Sequence, residues 1–339
     1  MTSSRMRLPR AVTTITPQRI SFAGGGTDLP SFYSQHEGGV ISSAIDQYIY
    51  VTVKRHSALF NEQYRLSYSK TEHTNNLDDI ENQIARECLR LLKVKPPLYI
   101  STAADLPASS GLGSSSSFAV GLLHALHHLK GERVSPGQLA EEACHVEINV
   151  LGNPIGKQDQ YAVAFGGINH LVFRKNGRVE IDHLVLDDTL LSQISENSLL
   201  IWTGIQRDSS SVLSKQNQSI SSNVKRYELL KQDVQRCKQL LLNGQKDFLT
   251  EFGALLNDSW AIKKSLEASI SSTQINDIHD QVISLGGYGG KLSGAGGGGF
   301  FYEIVPQKLH SEIINRYGPD KVLKVAFEPH GSRLLSEVF

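Results

Sequence analysis

The sequence predicts an α+β fold built as two domains, and three observations carry that reading. Segments rich in β-branched and aromatic residues dominate the first half, residues 209–285 read as several consecutive helices, and strand character returns only after them. Strands and helices are therefore segregated, which argues for α+β over a doubly wound α/β sheet. A chain of 339 residues that is 40% apolar can bury two cores. A boundary near residue 185, around "HLVLDDTLLS", divides it into 1–185 and 186–339. No internal repeat is evident.

In order along the chain, "AVTTIT" (11–16), "RISFA" (19–23), "YIYVTVKR" (48–55), "PLYIST" (97–102) and "GINHLVF" (167–173) read as strands. Between them, apolar spacing predicts helices near 79–93, 114–130 and 136–150. The run "LLIW" (199–202) reads as a strand before the helical stretch, and "GFFYEIV" (299–305) and "VLKVAFE" (322–328) as strands after it.

The most informative stretch is "DLPASSGLGSSSSFAVGLL", residues 105–123. A Gly/Ser tract alone reads as a linker. Here a strand precedes it, and Val120, Leu123, Leu126 and Leu129 follow at helical spacing, so the tract is a tight turn whose serines open a helix. The first turn of a helix presents unpaired N–H groups and partial positive charge, which suits an anion. One serine would cap the helix. Two glycines and surplus hydroxyls point instead to a bound phosphate, with hydroxyls free to donate or to ligate magnesium.

Two familiar phosphate motifs fail on their letters. "GGYGGKL" (286–292) resembles the lysine end of a P-loop, but Leu285 and Leu292 stand where Gly and Ser/Thr belong. "GAGGGG" (294–299) matches a dinucleotide fingerprint, yet a helical pattern (Ile275, Ile278, Val282) precedes it and a strand follows, the reverse of the required order. Residues so poor in side chains still imply a close backbone approach.

Composition narrows the partners. Lys+Arg and Asp+Glu both number 34, and no basic run carries interleaved aromatics, which argues against nucleic acid. The N-terminus lacks an apolar signal core and no apolar stretch approaches a membrane span, so no membrane role and a cytoplasmic location are expected. Cys88, Cys144 and Cys237 are widely spaced, as in a reducing compartment. His124, His127 and His128 share helical spacing and are expected to be ordinary neutral or solvated histidines. Nothing in the sequence sets the number of subunits.

Two carboxylates stand out. On helix 136–150, Leu139, Ala143, Val146 and Val150 form one apolar face, with Glu147 at its edge, where a carboxylate is costly unless paired. In "GNPIGKQDQY", Gly152, Pro154 and Gly156 turn the chain and Asp159 follows. With the serine turn, the pair suggests one carboxylate for a cation and one for a reacting hydroxyl.

Three motifs in order carry a resemblance: "TPQRISFAGGGTD" (16–28), "LPASSGLGSSSS" (106–117) and "KLSGAGGGG" (291–299). Together they make the chain similar to the GHMP-type small-molecule kinases, over nearly its whole length. The resemblance implies an N-terminal domain like ribosomal protein S5 domain 2, which binds ATP, a ferredoxin-like C-terminal domain, and an active site between them. It implies ATP binding by Pro107, Ser109, Ser110, Gly111, Leu112, Gly113, Ser114, Ser115 and Ser116, magnesium held by Ser115 and Glu147, Asp159 as catalytic base and Arg19 as its basic partner. Gly25, Gly26, Thr27, Asp28, Gly294, Ala295 and Gly296 are the implied substrate contacts. Thr27 and Asp28 match the sugar-contacting Thr-Asp of galactokinases, but Gly25 and Gly26 replace the preceding Glu-His, which counts against galactose. "RISFAGGGTDLPSFY" and "GGYGGKLSGAGGGGF" look most like bacterial heptose 7-phosphate kinases, which phosphorylate O1 towards GDP-heptose for surface polysaccharides; fucokinase-like and glucuronokinase-like enzymes share much of the pattern. A phosphorylated sugar needs a basic pocket of its own. Arg207, just past the "LLIW" strand with Ser209–Ser211 behind it, is the first candidate, and Lys215 and Lys157 are weaker ones. A non-catalytic sensor on the same fold is the alternative from another class, against which the presence of Ser115, Glu147 and Asp159 argues.

Overall fold

The computed structural model describes residues 8–206, 209–244 and 246–339. In chain order its main elements are β1 (Ala11–Ala23), α1 (Pro30–His36), β2 (Gly38–Arg55), β3 (Tyr64–Ser67), β4 (Thr71–Thr74), α2 (Gln83–Leu92), β5 (Leu98–Ala104), α3 (Ser114–Leu129), α4 (Pro136–Cys144), α5 (Gln158–Phe165), β6 (Ile168–Phe173) and β7 (Val179–His183). There follow α6 (Asp188–Glu196), β8 (Ser198–Trp202), α7 (Ser209–Asn243), α8 (Phe248–Lys264), α9 (Thr273–Ser284), β9 (Gly289–Leu292), β10 (Phe300–Ile304), α10 (His310–Tyr317), β11 (Val322–Lys324) and β12 (Arg333–Val338). Strands and helices are segregated as an α+β chain requires.

One sheet holds eight strands and forks around β2. That strand runs antiparallel to β1 along its length; on its other edge Gly38–Ser43 pair with β6 and Ile49–Arg55 with β5. The second sheet has four antiparallel strands, β11-β8-β10-β9. Helices α2 to α5 cover the large sheet around a core that includes Val51, Leu122, Leu126 and Phe173. A second core joins the two sheets: Phe22 of β1, fully buried, meets Phe252 of α8 edge-on at 5.3 Å between ring centres and Tyr302 of β10 at 5.8 Å. Burying one such ring is worth about 2–3 kcal/mol. The glycine loop after β1 and the turn before α3 lie beside this seam.

Several elements differ from the sequence reading. "AVTTIT" and "RISFA" are one strand, because Pro17, which has no N–H to give, sits at a register shift against β2. Of "VLKVAFE" only Val322–Lys324 is strand; a single bridge, Ile45 to Phe327, follows. The last strand, β12, pairs antiparallel with β1, a contact between the two ends of the chain.

Helix 136–150 changes pitch midway. After Cys144 it widens into a π turn over His145–Val150, with Leu151 N bonding back five residues to Val146 O at 3.0 Å. The extra residue per turn rotates the expected stripe: Val150 is exposed while Glu147 becomes fully buried. One histidine of α3 has carboxylate partners. His127 lies between Glu132 and Glu142, each 2.8 Å from one ring nitrogen, and His124 bonds the Ser332 hydroxyl at 3.0 Å. Among the described residues no helix is long and apolar enough to cross a membrane.

Candidate active site

The four serines of the turn divide among three jobs. Ser114 Oγ accepts from Gln18 Nε2 at 3.2 Å. Ser115, the most exposed of them, donates to Glu147 Oε1, and Ser116 donates to Glu147 Oε2 at 2.9 Å. Ser117 is spent on the Pro17 and Gly113 carbonyls, which ties α3 to β1. The hydroxyl surplus of the sequence is thus partly scaffold, and Ser115 is the hydroxyl that faces the opening. Ser109, Ser110, Gly111, Gly113 and Ser114–Ser116 line the cleft; Leu112 is buried behind it, its carbonyl accepting from Arg19 N at 3.0 Å, and Pro107 lies outside it.

Glu147 is fully buried, and every side chain that donates to it is neutral: Ser115, Ser116 and Gln160, the last at 2.7 Å. Burial pushes its carboxyl up from 4.5. A buried anion with only neutral donors, beside an exposed hydroxyl and a helix start, fits a hard cation arriving with a phosphate. Magnesium is held in that manner, by one or two carboxylates plus substrate oxygens. Among the described residues no larger cluster of His, Cys, Asp and Glu offers a metal site.

Asp159 enters from the first turn of α5. Arg19, buried on β1, grips it twice, Nε to Oδ1 at 2.7 Å and Nη2 to Oδ2 at 2.6 Å, while its Nη1 donates to Gly111 O at 2.7 Å. One guanidinium therefore fixes both the carboxylate and the phosphate turn. Asp159 keeps about a quarter of its side chain exposed, so it reaches the cleft.

The loop 24–28 forms the adjoining wall, against the start of α5. Asp28 accepts from Gly26 N at 3.0 Å and from Gln158 Nε2 at 2.9 Å, and burial pushes its carboxyl up, aided by the charge of Asp159. Thr27 is spent inside the loop: its hydroxyl donates to Gly24 O and Gly39 O and accepts from Gly39 N. Gly26 and Asp28 line the cleft, whereas Gly25 and Thr27 stand behind.

The glycine loop after β9 closes the site. Gly294, Ala295 and Gly296 line it, and Gln216 Nε2 from α7 holds Ala295 O at 2.9 Å. Its backbone also meets the serine turn directly: a Cβ on Gly111 would stand 2.7 Å from Ser293 O, and one on Gly294 would stand 2.7 Å from Gly111 Cα. The close backbone approach expected from the sequence thus brings the two loops against each other.

Of the basic candidates, Arg207 lies outside the described residues. Lys157 is engaged with Gly177 O at 2.8 Å and with Glu141, and Lys215 is exposed away from the cleft lining. The sequence reading missed Lys263 of α8, which is buried, lines the cleft and donates to Gly294 O. Burial lowers its ammonium to about 8, against the opposing pull of Asp28. A signal was present: Leu256, Trp260 and Lys263 recur at helical spacing, which puts a lysine on the buried face.

Residues 78–167 match the family described as GHMP kinases N terminal domain, and residues 241–319 the one described as GHMP kinases C terminal. The chain is 30% identical to the D-glycero-alpha-D-manno-heptose 7-phosphate kinase of Campylobacter jejuni over 90% of its own length and 92% of that protein. Its fold superposes on a D-glycero-D-manno-heptose 1-phosphate kinase from Bacteroides thetaiotaomicron with a TM-score of 0.77 at 24% identity, covering 96% of this chain and 99% of that one. A sugar kinase structure from Campylobacter jejuni, designated putative, follows at a TM-score of 0.74 and 25% identity, covering 98% and 100%. With both halves matched in order and a curated relative spanned almost end to end, the chain belongs to the GHMP kinase family and is an ATP-dependent phosphotransferase with an alcohol acceptor.

Proposed function

We propose that the enzyme phosphorylates the anomeric O1 of D-glycero-D-manno-heptose 7-phosphate, giving the 1,7-bisphosphate on the way to an activated heptose for surface polysaccharide. The observation that carries this reading is the likeness to the heptose 7-phosphate kinase across nine-tenths of the chain. Its dependence on ATP is consistent with a cytoplasmic location.

Phosphoryl transfer needs charge neutralisation and in-line positioning more than covalent chemistry. In this reading the turn 109–116 holds the triphosphate on the N–H groups that open α3. Ser115 and Glu147 would hold a magnesium ion arriving with ATP, which would supply neutralisation of the phosphate charge. Asp159 takes the proton of the sugar hydroxyl as the oxygen's lone pair goes to the γ-phosphorus and the bond to the β–γ bridging oxygen breaks, releasing ADP. Arg19 aims Asp159 through its two hydrogen bonds. Asp28 orients the sugar from the adjoining wall, and the glycine loop 294–299 keeps competing water out. Gly294, Ala295 and Gly296 reach the sugar through their backbone, and Gly26 leaves room for it, with Gly25 behind.

An ADP-release screen over sugars and sugar phosphates tests the proposal. Heptose 7-phosphate should give the highest kcat/KM. Faster turnover of fucose or glucuronate would replace this reading with the fucokinase-like or glucuronokinase-like one, and binding without turnover would replace it with a sensor.

A further inference from the structure

Among the described residues two cations line the cleft, Arg19 and Lys263. Arg19 is committed, with two donors on Asp159 and one on Gly111 O. Lys263 is 6% exposed, forms no ion pair among the described residues, and gives one bond to a backbone carbonyl, Gly294 O. An ammonium has three donors. A buried cation so sparsely satisfied is costly unless an anion arrives to meet it.

Gly25 packs beside it, behind the lining of the cleft. A Cβ on Gly25 would stand 3.8 Å from Lys263 Nζ and 3.6 Å from Ser21 Oγ, a buried hydroxyl with no hydrogen-bond partner among the described residues. The Tyr227 hydroxyl is also buried without a partner, on a ring that would lie 3.0 Å from a Cβ on Gly26. An ammonium and two unpartnered hydroxyls thus gather around the glycines of loop 24–28, on the Asp28 side of the cleft. A nucleotide's phosphates belong at the start of α3, and a second phosphate there would be repelled.

We propose that Lys263, which lines the cleft, is a specificity-determining residue that binds a phosphate monoester already carried by the acceptor sugar, with Ser21 Oγ, behind it at Gly25, supporting the site. This rests on the phosphorylated-sugar reading given above, and it identifies the residue that makes the preference.

The test compares kcat and KM of the wild-type enzyme, K263M, K263R and S21A with ATP and either D-glycero-D-manno-heptose 7-phosphate or the same heptose without phosphate. K263M should lower the kcat/KM ratio of phosphorylated over unphosphorylated heptose by about 10- to 100-fold, the loss of one charged hydrogen bond, chiefly through KM for the 7-phosphate. K263R should recover much of the ratio, and S21A should lose a smaller part, which keeps the assignment testable should K263M fold poorly. An unchanged ratio in K263M, or a rise in the KM for ATP in its place, would overturn the role of Lys263. A wild-type enzyme that prefers the unphosphorylated heptose fails before any variant is made, and overturns the reading beneath it as well.

Discussion

Arg19 on the first strand and Asp159 on the first turn of α5, 140 residues apart in sequence, are joined by two hydrogen bonds of 2.7 and 2.6 Å. The same guanidinium holds Gly111 O. The proposed base, its cation and the serine turn are therefore joined by one guanidinium, although they come from three separate stretches of the chain.

Replacing Asp159 with Asn keeps the shape but removes the proton acceptor and faces Arg19 with a neutral amide. Turnover should fall about 10²- to 10⁴-fold, while ATP binding measured by calorimetry persists. Near-normal turnover would mean that positioning alone drives transfer and that Asp159 is not the base.

Glu147→Gln should raise the magnesium concentration needed for half-maximal rate and lower turnover. A carboxyl raised by burial contributes stability that is full below its ordinary 4.5 and is lost as the pH climbs through the raised value. The ligand-free variant should therefore lose less stability than wild type between acid and neutral pH, as read from urea midpoints. Unchanged magnesium dependence together with a lower melting temperature would assign Glu147 a purely structural role.

Lys263 is lowered by burial to about 8, with Asp28, Arg19, Asp159 and the buried Lys291 among the charges around it. Its ammonium is lost as the pH rises through that value, so kcat/KM for the phosphorylated sugar should decline above pH 8 while kcat at saturation stays flatter. The K263R profile should stay level over the same range, because guanidinium does not titrate there. Parallel profiles for the two enzymes would count against the lysine.

Gly111→Ala would set a methyl 2.7 Å from Ser293 O on a residue whose φ is +80°. The strain should cost about 1–3 kcal/mol, and the displaced loop should raise the KM for ATP. Denaturant unfolding and initial rates report the two effects, and an alanine variant with wild-type values in both would show that the two loops do not need their close contact.

Local chemistry made much of this legible. The serine turn announces itself because strand, glycines, hydroxyls and helix are contiguous, and Glu147 stands out as a charge on an apolar stripe. What stayed hidden depends on geometry that letters do not encode. A π turn and an α turn share the same residues, so the full burial of Glu147 and the exposure of Val150 could not be read from spacing. The pairing of β12 with β1 joins the two ends of the chain, and no local pattern signals a partner that distant. Thr27, assigned to the sugar by likeness, gives its hydroxyl to Gly24 and Gly39, because a loop of three glycines needs a side chain to hold it. Lys263 was readable in principle from its place after Leu256 and Trp260, yet a second lysine beside it makes the pair look like a solvated helix end.

Phosphorus NMR of the reaction of purified enzyme with ATP, magnesium and D-glycero-D-manno-heptose 7-phosphate tests the central claim most directly. The account predicts that a phosphate resonance coupled to the anomeric proton grows in step with ADP while the 7-phosphate resonance persists. A phosphate appearing on any other carbon, or no sugar product while an unphosphorylated sugar is consumed, would contradict it.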